Sequence, residues 1–211
     1  VALPNPISVI SDVANNQIVV ANSNVDYLYS QGSLAVLSVD ATDTNAPLLT
    51  AQDIIEAPNY AVQIYSDGAG SLYVPFREAS SIDEAHDTFK KYTLAANSIT
   101  EALTGTVADD PFGITGNGAA IYTVSNDVLE IYDTSLVLQA SVDLSLAEDY
   151  SIDDSESADV FSVALDVTNN RAVVSNETGR MFIVDLTTNT LAQAVDGALS
   201  SSGLVINNDI L

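Results

Sequence analysis

The chain has few of the residue types on which common catalytic and cofactor sites depend. Its 211 residues include no cysteine, no tryptophan and one histidine. A disulfide framework, a thiolate site and a multi-histidine metal centre within the chain are therefore excluded. Long apolar runs are missing as well, since no segment approaches the roughly 20 residues that a membrane-spanning helix needs.

The chain also has few basic residues. Five lysines and arginines stand against 29 acidic residues, which gives a formal net charge of −24. Nucleic-acid binding needs basic side chains to neutralise phosphates, so we expect no nucleic-acid partner. Anionic membranes are disfavoured for the same reason. The acidic excess fits either a solvated surface suited to salty surroundings, or a surface of which part binds Ca²⁺ or a cationic partner.

Short apolar segments recur along the chain in a repeated order. Copies of one pattern begin near residues 6, 58, 111, 160 and 202. Each has an inner-strand segment, a turn of small or polar residues, and a second strand such as Ile18–Asn22 or Ala172–Asn176. A third strand often ends on aspartate, and a fourth apolar strand follows. A period of about 50 residues with four strands in each unit is typical of a β-propeller blade.

The repeat predicts an all-β fold, a β-propeller of four-stranded antiparallel blades in one domain spanning residues 1–211. We expect four complete blades and the start of a fifth, as part of a larger ring that further sequence or another chain completes. The predicted boundaries are 6–56, 58–110, 111–159 and 160–200 for the blades and 201–211 for the partial blade.

Two of the repeats resemble the YVTN-type propeller repeat of bacterial and archaeal secreted or surface proteins. In the fourth repeat the resemblance lies in Asn169–Gly179 and Phe182–Thr190, and in the first repeat in Asn15–Ser23 and Gly32–Asp40. The resemblance implies a location that is extracellular, periplasmic or at the cell surface. It also implies a binding or scaffold function, although some relatives act on lactones and other small molecules.

The long segments between predicted strands indicate where a ligand would bind. In a four-stranded blade the loop between the second and third strands shares one face with the connection to the next blade. Long segments fall on that face at 22–31, 77–87 and 147–159. Function is often carried by such loops on a rigid scaffold. The candidate ligand-binding residues there are Asp26, Tyr27, Arg77, His86 and Tyr150.

Two acidic segments are candidates for Ca²⁺, which takes six to eight oxygen ligands from flexible loops. Asn22–Asp26 places oxygen side chains at alternate positions, like the start of an EF-hand loop, but Tyr27 and Ser33 stand where that loop has glycine and glutamate. The alternative is a loop rich in asparagine and aspartate that binds no ion. The other segment is the densest acidic run, which is either a calcium site or a solvated surface. Its members are Asp149, Asp153, Asp154, Glu156 and Asp159.

Basic side chains gather around one of the long loops. Arg77 and His86 could orient an anion or form an acid–base pair there. The alternative is that this cluster forms ion pairs with nearby acids. The cluster is Arg77, His86, Lys90 and Lys91, and the acids are Glu78, Asp83, Glu84 and Asp87.

The predicted innermost strands decide between binding and catalysis. Their polar side chains are hydroxyls and an amide with no titratable group, namely Ser8, Gln63, Thr115 and Ser162. We therefore expect a non-catalytic binding or scaffold protein whose ligand is a protein, a small molecule or a carbohydrate. The alternative is a small-molecule hydrolase of the lactonase-like propeller type.

Overall fold

A computed structural model describes residues 6–24, 31–43, 48–57, 60–61, 63–77, 87–146, 160–176 and 179–195. Two compact units divide the chain, Val1–Thr106 and Val107–Leu211. The described residues of each unit form two antiparallel sheets. A single turn of 3₁₀-helix, Val13–Asn15, accompanies the strands of the first unit.

The first unit contains sheets 1 and 2, each built from strands that are consecutive in the sequence. Sheet 1 has the order β1-β2-β3-β4, and sheet 2 has the order β5-β7-β8-β9 with β6 also paired to β7. The strands are β1 (Pro6–Asp12), β2 (Gln17–Asn24), β3 (Gln31–Asp40), β4 (Leu48–Ala57), β5 (Tyr60–Ala61), β6 (Tyr65–Ser66), β7 (Ser71–Arg77), β8 (Thr88–Ala95) and β9 (Ser98–Thr106).

The second unit contains sheets 3 and 4, with the orders β10-β11-β12-β13 and β14-β15-β16-β17. The strands are β10 (Pro111–Gly116), β11 (Ala120–Ser125), β12 (Val128–Asp133), β13 (Leu138–Asp143), β14 (Val160–Asp166), β15 (Arg171–Asn176), β16 (Met181–Asp185) and β17 (Thr190–Val195).

In three sheets, the last residue of the turn between the first two strands has a positive φ. Asn16 and Asn170 both have a φ of 52°, and Gly70 has a φ of 97°. The carbonyl oxygen of each accepts a backbone N–H near the end of the third strand, at N···O distances of 2.8–3.1 Å. Asparagine and glycine tolerate this left-handed conformation better than other residues, so the turn chemistry fixes where each inner hairpin reverses.

All four sheets share an irregularity at the same place in the pairing of the third and fourth strands. The fourth strand there carries one extra residue, which makes a β-bulge that increases the twist of the sheet. The register shifts at Val36/Leu37, Lys91/Tyr92, Ile131/Tyr132 and Ile183/Val184. Because the bulge recurs, it aligns the four sheets residue by residue: Val36, Lys91, Ile131 and Ile183 occupy equivalent positions.

Sheet 2 departs from the others in its innermost strand. Where the other sheets have one continuous strand, sheet 2 has the separate pieces β5 and β6, both paired to β7. Pro75 lies in β7 opposite the gap between them. Proline has no N–H to donate across the ladder, so the pairing is interrupted at this point.

Sheets 1 and 2 enclose the apolar core of the first unit. The core takes Val19, Leu34 and Val36 from sheet 1. From sheet 2 it takes Phe76 and Tyr92, which are almost completely buried. Burial of each large apolar side chain stabilises the fold by about 1.5–3 kcal/mol.

The second unit repeats this packing. Its core joins Val124, Leu129 and Ile131 of sheet 3 to Val174 and Phe182 of sheet 4. We call the face of a sheet that carries the residue equivalent to Val36 its front face, and the opposite one its back face. In both units, the front face of the earlier sheet packs on the back face of the later sheet.

The predicted all-β class and the four-stranded antiparallel sheets of consecutive strands are confirmed. The partial fifth blade, 201–211, lies outside the described residues.

Candidate functional site

A buried glutamine connects the two sheets of the first unit at matching ends. Gln17, at the start of β2, donates from Nε2 to Asp12 Oδ2 at 2.8 Å and to the carbonyl oxygen of Ala95 at 3.1 Å. Its Oε1 accepts the backbone N–H of Asn97 at 2.9 Å. Because Ala95 ends β8 and Asn97 lies in the turn that leads to β9, the short-turn ends of sheets 1 and 2 lie side by side.

The opposite ends of these two sheets must then also lie on one side of the unit. Chain segments 25–30 and 78–86 connect β2 to β3 and β7 to β8 at those ends. We call this side the long-connection end. It corresponds to the face on which the sequence predicts ligand binding.

The described residues at the long-connection end are polar and partly buried. Asn22 is fully buried, and its Nδ2 donates to Ser33 Oγ at 3.3 Å. Asp87, which precedes β8, is also buried. Two oxygens, Asn22 Oδ1 and Thr88 Oγ1, are buried and find no hydrogen-bond partner in the structure described. A buried oxygen without a donor costs about 1–3 kcal/mol, so these two oxygens lower the stability of this end of the unit.

Among the predicted ligand-binding residues, Arg77 is the one that the structure describes. It is the last residue of β7 and is half-buried at the long-connection end. Asp26, Tyr27, His86 and Tyr150 lie outside the described residues, as does the whole predicted calcium segment: Asp149, Asp153, Asp154, Glu156 and Asp159.

The first part of the segment that resembles the start of an EF-hand loop lies in a strand. Asn22 and Asn24 pair with Ser33 and Gln31 in the ladder between β2 and β3. The positions expected to supply the first and third ligands of a flexible loop therefore belong to a regular strand. The predicted loop 22–31 shrinks to the connection 25–30.

The predicted basic cluster is divided by strand geometry. Lys90 and Lys91 are neighbours in β8, so their side chains leave opposite faces of sheet 2. Lys90 Nζ lies 2.7 Å from Glu101 Oε2 on β9, whereas Lys91 Nζ lies 5.3 Å from the ring centre of Tyr73. Glu101 is not among the acids that the sequence analysis proposed as partners. The turn at Asn97 and the following bulge set the register that brings it to Lys90.

The innermost strands use one of their hydroxyls to join the sheets. Ser8 Oγ accepts the backbone N–H of Ile64 at 3.3 Å, which ties β1 to the residue before β6. Ser162 on β14 is buried, and Gln63 and Thr115 are half-buried. Ser8 thus has a structural role in the first unit.

A buried carboxylate in the second unit escaped the sequence analysis. Glu130 on the back face of sheet 3 accepts hydrogen bonds from Tyr132 Oη and from the backbone N–H of Ala108, both at 2.8 Å. Burial, and then the charge of Glu130, raise the pKa of Tyr132 far above its ordinary value. The carboxylate holds the segment that leads into β10. Local sequence patterns do not reveal this contact, because the two residues are 22 positions apart.

In the part of the chain that the structure describes, no three acidic, histidine or cysteine side chains come together as a metal-binding group. No helix in that part is long and apolar enough to cross a bilayer. No known protein-family model matches the chain, and no curated protein matches it significantly.

Proposed function

We propose that the chain is a non-catalytic binding or scaffold β-propeller of an extracellular or cell-surface protein, with its ligand on the long-connection end. The observation that carries the proposal is the alignment of sheets 1 and 2 through Gln17, which gathers the connections 25–30 and 78–86 on one side of a rigid pair of sheets. The segment 147–159 is the third element of the proposed interaction face.

The propeller arrangement is supported by the repetition of sheet packing. The front face of sheet 1 packs on the back face of sheet 2, and sheet 3 packs on sheet 4 in the same way. A propeller repeats one step, in which the front face of a twisted sheet packs on the back face of the next sheet. The resemblance to the YVTN-type repeat supports the same arrangement and a secreted location.

Ligand binding at the long-connection end is supported by its chemistry. Arg77 is half-buried at this end and brings a positive charge to a chain with 29 acidic residues. Asn22, Asp87 and Thr88 make the same end polar. A surface with guanidinium, amide, carboxylate and hydroxyl groups suits a polar ligand such as a carbohydrate.

The carboxylates of the innermost strands have a structural use, which favours binding over hydrolysis. Asp12 on β1 and Asp166 on β14 stand at the strand ends. Asp12 accepts hydrogen bonds from Asn15 and Gln17, and Asp166 accepts one from Asn169.

Loop replacement tests the proposal. In one variant, residues 78–86 give way to the two-residue turn Asn126–Asp127 that joins β11 to β12. A matched variant alters residues 117–119, the turn between β10 and β11. Binding is measured on a printed glycan array, and hydrolysis is measured with short-chain lactones. We expect that the first variant loses glycan binding and the second keeps it.

Two results would count against the proposal. Glycan binding that survives replacement of 78–86 would place the ligand elsewhere. Lactone turnover that falls sharply in His86→Ala would favour the hydrolase alternative instead.

A further inference from the structure

One peptide bond of the chain joins an aspartate to a proline. Asp110–Pro111 is the only such pair among the 211 residues. The proline nitrogen belongs to a tertiary amide, and the carboxyl group of the aspartate can form a five-membered ring with the carbonyl carbon of the same residue. An aspartate–proline bond is for these reasons the kind of peptide bond that acid breaks most readily.

The backbone at this bond has an unfavourable conformation. Asp110 has a φ of 55°, in the left-handed region that residues other than glycine rarely adopt. A following proline restricts the residue before it to extended conformations as well. Among the described residues with a positive φ, Asp110 is the one that precedes a proline. Strain of this kind persists only where the surrounding structure imposes it, and it is concentrated at functional positions.

Sheet 3 holds the segment on the N-terminal side of the bond. The backbone N–H of Ala108 donates to Glu130 Oε2 at 2.8 Å. The carbonyl oxygen of Asp109 accepts a hydrogen bond from Asn126 Nδ2 at 3.2 Å. Two consecutive residues before the strained position are therefore fixed by side chains of β12 and of the turn that precedes it.

Sheet 3 also holds the C-terminal side. Pro111 is buried as the first residue of β10 and pairs with Ser125 on β11. The register shifts directly after it, between Pro111 and Gly113. Because the chain is fixed on both sides, Asp110 has no freedom to relax toward an extended conformation while sheet 3 is folded.

We propose that the folded chain breaks its own backbone between Asp110 and Pro111 in acid, and that the conformation imposed by sheet 3 accelerates the cut. One oxygen of the neutral Asp110 carboxyl group attacks the carbonyl carbon of the same residue. The new C–O bond closes a five-membered anhydride, the C–N bond breaks, and the carboxyl proton passes to the proline nitrogen, which leaves as an amine. One water molecule then opens the anhydride to two carboxyl groups.

The cut falls close to the boundary between the two compact units. That boundary lies between Thr106 and Val107, so the fragments 1–110 and 111–211 each contain nearly all of one unit. Each apolar core draws its residues from one fragment alone. The reaction therefore divides the chain into its two units and leaves both cores intact. It is independent of the ligand proposed above.

The mass of the products tests this inference. The ionisable groups on the segments that hold the bond, Asp109, Asp127 and Glu130, are all acidic, so the fold must be verified in acid. The chain is incubated at the lowest pH between 3 and 5 at which circular dichroism shows it folded. A second sample is incubated at the same pH in guanidinium chloride. Mass spectrometry should detect 1–110 and 111–211, formed on the order of tenfold faster in the folded sample, where the strain is present.

Three variants separate the strain from the chemistry of the bond. Asp110→Asn removes the attacking carboxyl group and should abolish the cut in both samples. Asn126→Gly removes the hydrogen bond to Asp109 and suits the φ of 45° at that position, so it should slow the cut in the folded sample alone. Asn97→Gly, at another turn with a φ of 63°, is the matched control and should change neither rate.

A folded chain that stays intact, or that is cut no faster than the unfolded chain, would overturn the proposal. Fragments whose masses place the cut at another bond, or a cut that persists in Asp110→Asn, would overturn it as well. Equal slowing by Asn126→Gly and Asn97→Gly would show that the hydrogen bond to Asp109 does not impose the strain.

Discussion

Aspartate side chains at the ends of strands form hydrogen bonds that close the following turns. Asp40, Asp133 and Asp185 end the third strands of sheets 1, 3 and 4, and each accepts a backbone N–H from two residues further on at 2.7–3.0 Å. These hydrogen bonds hold the pKa of Asp40 and of Asp185 below its usual value. Part of the acidic excess therefore serves to close turns.

Replacement of Gln17 should lower the stability of the first unit. Gln17→Ala removes the amide that serves Asp12, Ala95 and Asn97 in a buried place. We expect the free energy of unfolding to fall by about 2–3 kcal/mol, because the groups left behind lose their partners. Urea denaturation followed by circular dichroism measures the loss.

The exposed Gln52→Ala variant is the control for Gln17→Ala. Gln52 lies at the bulge of β4, where its Nε2 donates to Ser38 Oγ at 2.8 Å near solvent. Its removal should change stability by no more than about 0.5 kcal/mol. Equal losses in the two variants would contradict the bridging role of Gln17.

At the scale of strands, the sequence pattern predicted the positions of hairpins, which depend on neighbouring residues. Alternating apolar residues and Asn or Gly turns located the hairpins around Asn16 and Asn170. The recurring bulge was not predicted, because one extra residue in a fourth strand leaves the alternation on either side intact. The split of β5 from β6 opposite Pro75 depends on a missing N–H in a neighbouring strand.

The candidate site was predicted less completely than the fold. Its position at one end of the sheets follows from strand order, which the repeat reveals. The partners of its residues follow from register and from contacts between sheets. Ser8 with Ile64 and Lys90 with Glu101 are examples, since each pair is distant in the sequence and is brought together by a bulge or by sheet packing.

The pairing of β8 with β9 should depend on pH through Glu101. Hydrogen bonds from Lys90 and then Thr104 lower the pKa of Glu101 from its ordinary value of 4.5. A carboxylate with a lowered pKa stabilises the fold fully above its unfolded pKa, and this contribution is lost as the pH falls through the folded value. Glu101→Gln should therefore cost up to about 1 kcal/mol at pH 7 and almost nothing near pH 3.

Thermal unfolding of wild type and Glu101→Gln between pH 3 and pH 7 checks this dependence. Glu56→Gln, which removes an exposed glutamate on β4, is the matched control for the loss of one carboxylate. A difference between Glu101→Gln and wild type that stays constant down to pH 3 would show that the ion pair is not its cause.

For the whole molecule, the dominant electrostatic fact is a net charge of −24 over 211 residues. Like charges at such density repel one another and destabilise the compact state. Aspartates are ionised at neutral pH in the folded and the unfolded chain alike, since their ordinary pKa of 3.8 lies far below 7, and hydrogen bonds lower the pKa of Asp40, Asp166 and Asp185 further. Folding therefore brings charges that are present in both states closer together.

Salt should stabilise the chain by screening this repulsion. The screening length falls from about 10 Å at 0.1 M salt to about 3 Å at 1 M, so the melting temperature should rise across that range. For a chain of this size, each kcal/mol gained appears as about 2–4 °C.

Choline chloride should act as strongly as NaCl if screening alone is responsible. CaCl₂ at matched ionic strength should add a further rise only if the acidic run 149–159 binds the ion. A melting temperature that stays flat in NaCl would contradict the repulsion argument, and a calcium effect abolished by Asp153→Asn with Asp154→Asn would locate the ion.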